Sequence, residues 1–483
     1  MRYLIAFTLI FSVAAALARA EGAPPERRFA VPEVKADFAE LYQRLAASHF
    51  DLYARRSRAE YDALFARMQA AFDKPLTATE MRVAFQRFMA FGNVAHARIE
   101  FPADAYGAYR DAKGRVMPLF ARFIEGRAFV TENGSDAPIS PGEEIRALNG
   151  EPFDAWRRRL AANISADNDY MTDTLLENRF GRLLWLELGA IDHFQLTLGR
   201  PGGAAGEISI PARTRDEILA SLSRRPAALD LDWNARTFKM VGSVGYLRPG
   251  PFYNNDPNAT NIWDTIQFKA FIDDAFTQLL SAKARAVVID LRNNPGGDNS
   301  FSDLMVAWFA TKPFRFCRDF LIRQSEAAVA SNAKRVALAA GNPDAISAKL
   351  AAAYAAHRNG DVFSFEIPIV APRTGERFTG KVYLLINRHS YSNTVQVAAL
   401  AQDYRFATIL GEETSDLATT YGAMEQFTLS RSGIDVGFPK AQIIRVNGDT
   451  PPRGVVPDIA IETPIVEPAS DPVLTQALAI AGR

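Results

Sequence analysis

Ser392 stands where a polar turn gives way to a helical run, in RHSYSNTVQVAALAQDY, directly after the apolar, strand-like KVYLLIN. A serine hydroxyl at a helix N-terminus sits in the positive end of the helix dipole, where negative charge on oxygen costs less, so this placement suits nucleophilic attack on a carbonyl. Upstream, AVVIDLRNNPGGDNS runs a second apolar strand into Gly296 and Gly297. Glycines there leave backbone N–H groups open to close approach by a developing oxyanion. Each piece has a plainer reading, an N-cap serine in one case and a tight turn in the other. Their combination favours hydrolytic chemistry at a carbonyl.

The elements that must carry these residues follow from periodicity. After about residue 226 strands and helices alternate: MVGSVGYLRPGPF, a helix over 266–280, AVVIDLR, a helix after Ser300, VYLLIN, the Ser392 helix, ATILGE, then hairpin-like strands between Met424 and Val446. Such alternation predicts an α/β sheet with crossover helices. An alanine-rich helical stretch over 317–360 interrupts it, read either as a lid or as a solvated ornament. Upstream, 34–91 reads as a small helical bundle, with a capping box at Thr77 and Glu80 and an apolar face of Met81, Phe85 and Phe88. FGNVAHARIEF then predicts a turn followed by a strand. Residues 115–212 are rich in short strands, and PGEEIRALNG resembles the turn and strand of a PDZ module. That resemblance implies β-augmentation by a peptide; a β-rich spacer with a helical insertion over 161–189 is the equal alternative. The division expected is a signal peptide at 1–20, a helical region at 21–100, a PDZ-like domain at 101–225 and an α/β core at 226–470. The fold class is thus mixed α/β, in several domains.

Composition narrows the function classes. The 483 residues are 48% hydrophobic and 23% charged, with 55 basic and 55 acidic residues, which gives no electrostatic case for nucleic acid or an anionic membrane as partner. Arg2, the apolar run Leu4–Leu17 and the small residues Ala18 and Ala20 predict a signal peptide cleaved near Ala20, and so a periplasmic or secreted protein without stable membrane insertion. The single cysteine, Cys317, excludes an intramolecular disulfide and reads as a packed small hydrophobe. His49, His96, His193, His357 and His389 are scattered without metal-ligand spacing, so neither a metal nor another cofactor is expected.

Taken together, VGYLRPGPF, VVIDLRNNPGGD, the YSN turn, AALAQDYRFATILGEET and GVVPDIAI resemble the C-terminal-processing, or tail-specific, serine peptidases and their tricorn-like relatives, over most of 240–465. The resemblance implies a crotonase-like core, Ser392 rather than Ser390 as nucleophile, an acyl-enzyme, and peptide or unfolded protein as substrate. It also implies an oxyanion hole from the N–H of Gly296 or Gly297 and that of Asn393. One departure stands out. The processing peptidases carry a lysine just after the GExT strand, whereas here GEET runs into Ser415, Asp416 and Leu417, and no lysine occurs between Ser392 and Lys440. The tricorn-like branch implies instead a histidine before the PDZ-like region, a place that His96 fills; an imidazole titrating at about 6.5 suits a general base at neutral pH. His96 as a core histidine and His389 as the base are the alternatives. The acid orienting the base is expected at Asp449, before GVVPD, with Glu425 competing. The family's acid three residues after the serine is replaced by Val395. Two functions are therefore carried forward: an exported serine peptidase, and an inactive relative that binds peptides as an adaptor.

Overall fold

Near-continuous apolar runs such as AVVID and KVYLLI suit strands covered on both faces, and they form the middle of a six-stranded sheet. Its order is Ile459–Ala460, Thr408–Gly411, Lys381–Ile386, Ala286–Asp290, Val244–Arg248 and Thr237–Val241. All neighbours pair in parallel except the outer Thr237–Val241, which is antiparallel to Val244–Arg248. Alternate side chains divide between the faces. Val287, Ile289, Leu384 and Ile386 meet Phe268, Ile272, Phe276 and Leu279 of the helix Ile266–Ser281, together with Val395 and Val397 of the helix Asn393–Asp403. Val288, Tyr383, Leu385 and Leu410 meet Val473, Ala477 and Ala481 of the helix Pro472–Ala481, which the sequence reading did not anticipate. Asp471 caps that helix by accepting the Leu474 N–H.

This computed structural model describes residues 26–199, 203, 205–338 and 345–483, so the expected signal peptide lies outside the described residues. The chain forms two units. One takes in Pro102–Asn163 and Leu176–Pro226, the other Arg27–Phe101, Ile164–Leu175 and Ala227–Arg483. The first unit carries an antiparallel sheet in the order Leu119–Ile124, Arg127–Asn133, Glu144–Leu148, His193–Gly199 and Ala205–Pro211. PGEEIRALNG supplies its middle strand, and in its core Phe180 packs edge to face against Phe123 and Phe153, whose own rings are tilted at 41°.

In the second unit the early helices Val31–Ser48, Arg58–Ala71 and Ala78–Ala90 share one core with the hairpin Thr420–Thr428 and Asp435–Ile444, through Phe38, Leu41, Phe85 and Phe88 against Phe427, Val436 and Phe438. Buried Asp37 ties the two together by accepting the Arg431 and Ser432 N–H groups at the hairpin tip, at 3.1 and 2.8 Å. Two expectations need correction. The 317–360 stretch is not wholly helical: Asp319–Arg323 and Val362–Ser364 extend the hairpin into a four-stranded antiparallel sheet, flanking the helices Glu326–Leu338 and Ile346–Ala355. The apolar run within DFLIR is only three residues long and does not stand out beside alanine-rich helices. The strand expected after the His96 turn is reduced to a bridge between Arg98 and Gly437, because side chains rather than a neighbouring strand meet its other polar groups.

Candidate active site

The C-terminal ends of the parallel strands Ala286–Asp290 and Lys381–Ile386 point two loops at one another, as open α/β sheets do where they bind ligands. Both loops are laced together. Asn293 N–H donates to Asn387 Oδ1 (3.0 Å) while Asn387 Nδ2 donates to Asn293 Oδ1 (2.8 Å), and Tyr391 N–H donates to the Asn294 carbonyl (3.0 Å). Ser390 joins the lacing: its hydroxyl donates to the Leu291 carbonyl at 2.8 Å and accepts the Asn387 N–H. Buried and doubly committed, Ser390 is a structural residue.

Ser392 differs in every respect. It is half-buried, its hydroxyl has no hydrogen-bond partner among the described residues, and its backbone sits at φ 55° and ψ −124°. That lies outside the left-handed region a non-glycine residue ordinarily uses when φ is positive. Such a conformation costs about 1–3 kcal/mol and persists only when the surroundings impose it; a strained strand-to-helix serine is how α/β hydrolases expose a nucleophile. What imposes it here includes the side chain of Asp416, whose Oδ2 accepts the Ser392 N–H at 2.6 Å.

Gly296 packs directly under this turn. A methyl group on it would lie 2.6 Å from the Tyr391 carbonyl, 2.8 Å from the Asn393 nitrogen and 2.9 Å from Ser392 Cβ, and its φ of 89° also favours glycine. The Gly296 N–H, however, is spent on Asn294 Oδ1 at 2.9 Å. Gly297 N–H and Asn393 N–H meet no acceptor among the described residues, and Gly297 is exposed. Of the donors expected from sequence, these two are free to receive an oxyanion. Behind them, Asp290 and Arg292 are buried together. Burial alone would raise the Asp290 carboxyl, but the guanidinium groups of Arg292 and Arg248 hold it below the usual carboxylate range, and Arg292 also bridges to Asp471 at 2.7 Å.

His96 is brought to the Ser392 turn. Its ring stacks on Tyr391, the residue before Ser392, at a centroid distance of 5.2 Å. The turn that carries it is braced on all sides within this unit: Arg98 exchanges backbone hydrogen bonds with Gly437, Ser165 donates to the Ala97 carbonyl (2.6 Å), Gln86 accepts the Ile99 N–H (2.7 Å), and Asp167 Oδ2 accepts the Ala95 N–H (3.2 Å). Arg98 also bonds the Tyr391 side chain. Burial, and secondarily the Arg98 charge, lower the His96 pKa to about 3, well below the 6.5 expected from the sequence, so the imidazole is neutral near pH 7 but a weaker base than that expectation assumed. Its Nδ1 is buried with no partner among the described residues.

Neither expected acid reaches that nitrogen. Asp449 lies exposed on a turn, bonded to Asn447 Nδ2 at 2.8 Å, and its carbonyl accepts the Thr419 hydroxyl. Its short side chain is held by that local turn. Glu425 is buried in an ion cluster with Lys440, Arg335 and Ser331, which also accounts for the first lysine after the serine. His389 is half-buried in the turn ahead of Ser390.

The acids that do reach the site are Asp416 and Asp167, neither of them singled out from sequence. Asp416 stands in the stretch after GEET where the processing peptidases carry a lysine, and that departure is the one signal of it in the sequence. Burial first, then the charge of Asp167, raise its pKa to about 7, against the N–H groups of Ser392 and Leu417 and the charge of Arg98. Burial also raises Asp167, countered by Arg55 at 3.1 Å and the Ala95 N–H. Asp167 belongs to Ile164–Leu175, a part of the helical insertion expected over 161–189, whose Tyr170 hydroxyl also donates to the Glu413 carbonyl at 2.9 Å.

Comparison with known proteins gives a family and a set of similar folds. Residues 243–461 match the model of peptidase family S41. Among solved structures, mature CPAF aligns with a TM-score of 0.61 at 15% identity, covering 89% of this chain and 92% of that one. Mature CPAF complexed with lactacystin gives 0.62 at 15% identity over 94% and 97%. A photosystem II D1 C-terminal processing protease aligns at 0.42, with 14% identity over 89% and 93%. No curated protein sequence matches. Among the described residues no cluster of potential metal ligands occurs, and no helix is long and apolar enough to cross a membrane.

Proposed function

We propose that this chain, whose residues 243–461 match the model of peptidase family S41 and whose motifs resemble the C-terminal-processing peptidases, is an active serine peptidase that works outside the cytoplasm after loss of residues 1–20. The observation that carries the reading is Ser392 itself, with its strained backbone and, among the described residues, no partner for its hydroxyl or for two N–H groups alongside. The Ser392 hydroxyl attacks the peptide carbonyl as its proton passes to neutral His96. The oxyanion is received by the N–H groups of Gly297 and Asn393. His96 returns the proton to the leaving amine, and water then hydrolyses the Ser392 ester by the same route.

This base is a histidine, as in the tricorn-like branch, and it replaces the missing lysine without a charged amine having to be neutralised. Asp449 is left without a part in the proton transfer. The substrate is a peptide or an unfolded protein segment. Ser392→Ala is expected to abolish peptide hydrolysis, and His96→Ala to lower kcat by roughly 10⁴-fold or more, with the double variant no worse than the worse single one. Full activity in His96→Ala would move the base elsewhere.

A second reading rests on a specific observation: among the described residues no carboxylate meets His96 Nδ1. An inactive relative that binds peptides as an adaptor would leave the imidazole so. It would retain peptide by pull-down while neither hydrolysing it nor reacting with a fluorophosphonate.

A further inference from the structure

Within the second unit, the loop between Gly411 and Thr420 carries a wholly buried aspartate whose two oxygens are both engaged by backbone: Oδ2 accepts the Ser392 N–H at 2.6 Å and Oδ1 accepts the Leu417 N–H at 2.9 Å. The Ser392 N–H would otherwise be a helix-start donor without an acceptor. Its partner therefore decides how the residue lies. At φ 55° and ψ −124° the turn has no intrinsic preference for this geometry. The short charge-assisted bond is thus the side-chain restraint nearest the strained atoms.

We propose that Asp416 is a positioning residue for the nucleophile: by accepting the Ser392 N–H, its carboxylate holds Ser392 in the backbone conformation that presents the hydroxyl to substrate. This rests on the reading of Ser392 as the nucleophile. Asp416 touches no reacting atom in that scheme and acts through the backbone of its neighbour.

The surroundings make the restraint sensitive to protonation. Asp416 faces Asp167 from Ile164–Leu175 and Arg98 from the His96 turn; Asp167 is paired with Arg55, and Arg98 with Tyr391 and Glu100. Burial and the like charge of Asp167 bring the Asp416 carboxyl up to about 7. A protonated carboxyl has one oxygen converted to a hydroxyl and cannot hold both N–H groups as strongly, since bonds to an ionised acceptor are roughly twice as strong. Activity carried by the ionised form should therefore fall on the acid side.

The test is steady-state peptide hydrolysis across pH on the full chain, with fluorophosphonate labelling of Ser392 in parallel. In Asp416→Ala, kcat and the labelling rate should both fall, by about 10²-fold on the scale of losing one oxyanion donor, with KM unchanged. Asp416→Asn keeps one carbonyl acceptor and nearly the same shape, so it guards against misfolding of the alanine variant. It should give an intermediate kcat and lose the acid limb that Asp416 contributes. Asp167→Asn removes the neighbouring charge and should move that limb to lower pH, the shift being read from the limb's position and not from the height of the plateau, since Asp167 also accepts the Ala95 N–H of the His96 turn. A wild-type pH profile and kcat in Asp416→Asn would overturn the proposal, as would an acid limb unmoved in Asp167→Asn. If the wild-type protein takes no label at Ser392, the reading of the site fails first, and the two failures are distinguishable.

Discussion

With the Gly296 N–H held by Asn294, the proposed oxyanion donors reduce to Gly297 and Asn393. A methyl group on Gly297 would run into the Phe252 carbonyl, at a φ of 139°, so the loop must shift and carry its N–H away. Gly297→Ala is expected to lower kcat by roughly 10²–10³-fold, the range for losing one such donor, with KM little changed; unaltered kcat in a folded variant would remove Gly297 from the mechanism. At this scale the serine and the glycine pair were legible because turn chemistry is local. The choice between Gly296 and Gly297 was not, since it depends on which N–H a side-chain amide has already taken. Nor was Asp416, whose importance comes from one bond to the Ser392 backbone, or the failure of Asp449 to reach His96.

The parallel strands and their crossover helices could be read directly, because strands covered on both faces are apolar throughout and their helices keep a 3.6-residue period. What could not be read is how the early helices meet the late hairpin. That contact rests on buried Asp37 receiving the Arg431 and Ser432 N–H groups, a pairing across most of the chain with no local signature. Asp37→Ala would leave both donors without their acceptor, and a loss of about 2–6 kcal/mol is expected by denaturant titration, at 1–3 kcal/mol for each unsatisfied group. Because the same hairpin holds Arg98 through Gly437, kcat should fall as well. A change below about 0.5 kcal/mol, the size ordinary surface substitutions give, would contradict the account of this contact. The segment Ile164–Leu175 teaches the same lesson: legible as an oddity, it supplies Ser165 and Asp167 to the His96 turn.

Across the whole molecule, His49 and His96 are buried neutral, each with a pKa brought down to about 3 chiefly by burial. The unfolded chain binds their protons below about 6.5, so the stability tied to their neutral forms is complete above that pH and is lost as pH falls from 6.5 towards 3. At pH 5 each histidine should cost about 2 kcal/mol relative to pH 7.5, from 1.36 kcal/mol per unit. Asp416 works in the opposite sense, since its raised pKa makes the fold less stable as pH rises from about 4 to 7. His49 lies outside the proposed mechanism, so His49→Gln is expected to narrow the difference in unfolding free energy between pH 7.5 and pH 5 by about 2 kcal/mol, and an unchanged difference would contradict the burial argument. The account as a whole is tested most directly by locating a covalent adduct. After reaction with a fluorophosphonate, mass spectrometry of the digested protein should find the added mass on Ser392 alone, with none in the Ser392→Ala variant. An unmodified Ser392, or an adduct on Ser390 or elsewhere, would contradict it.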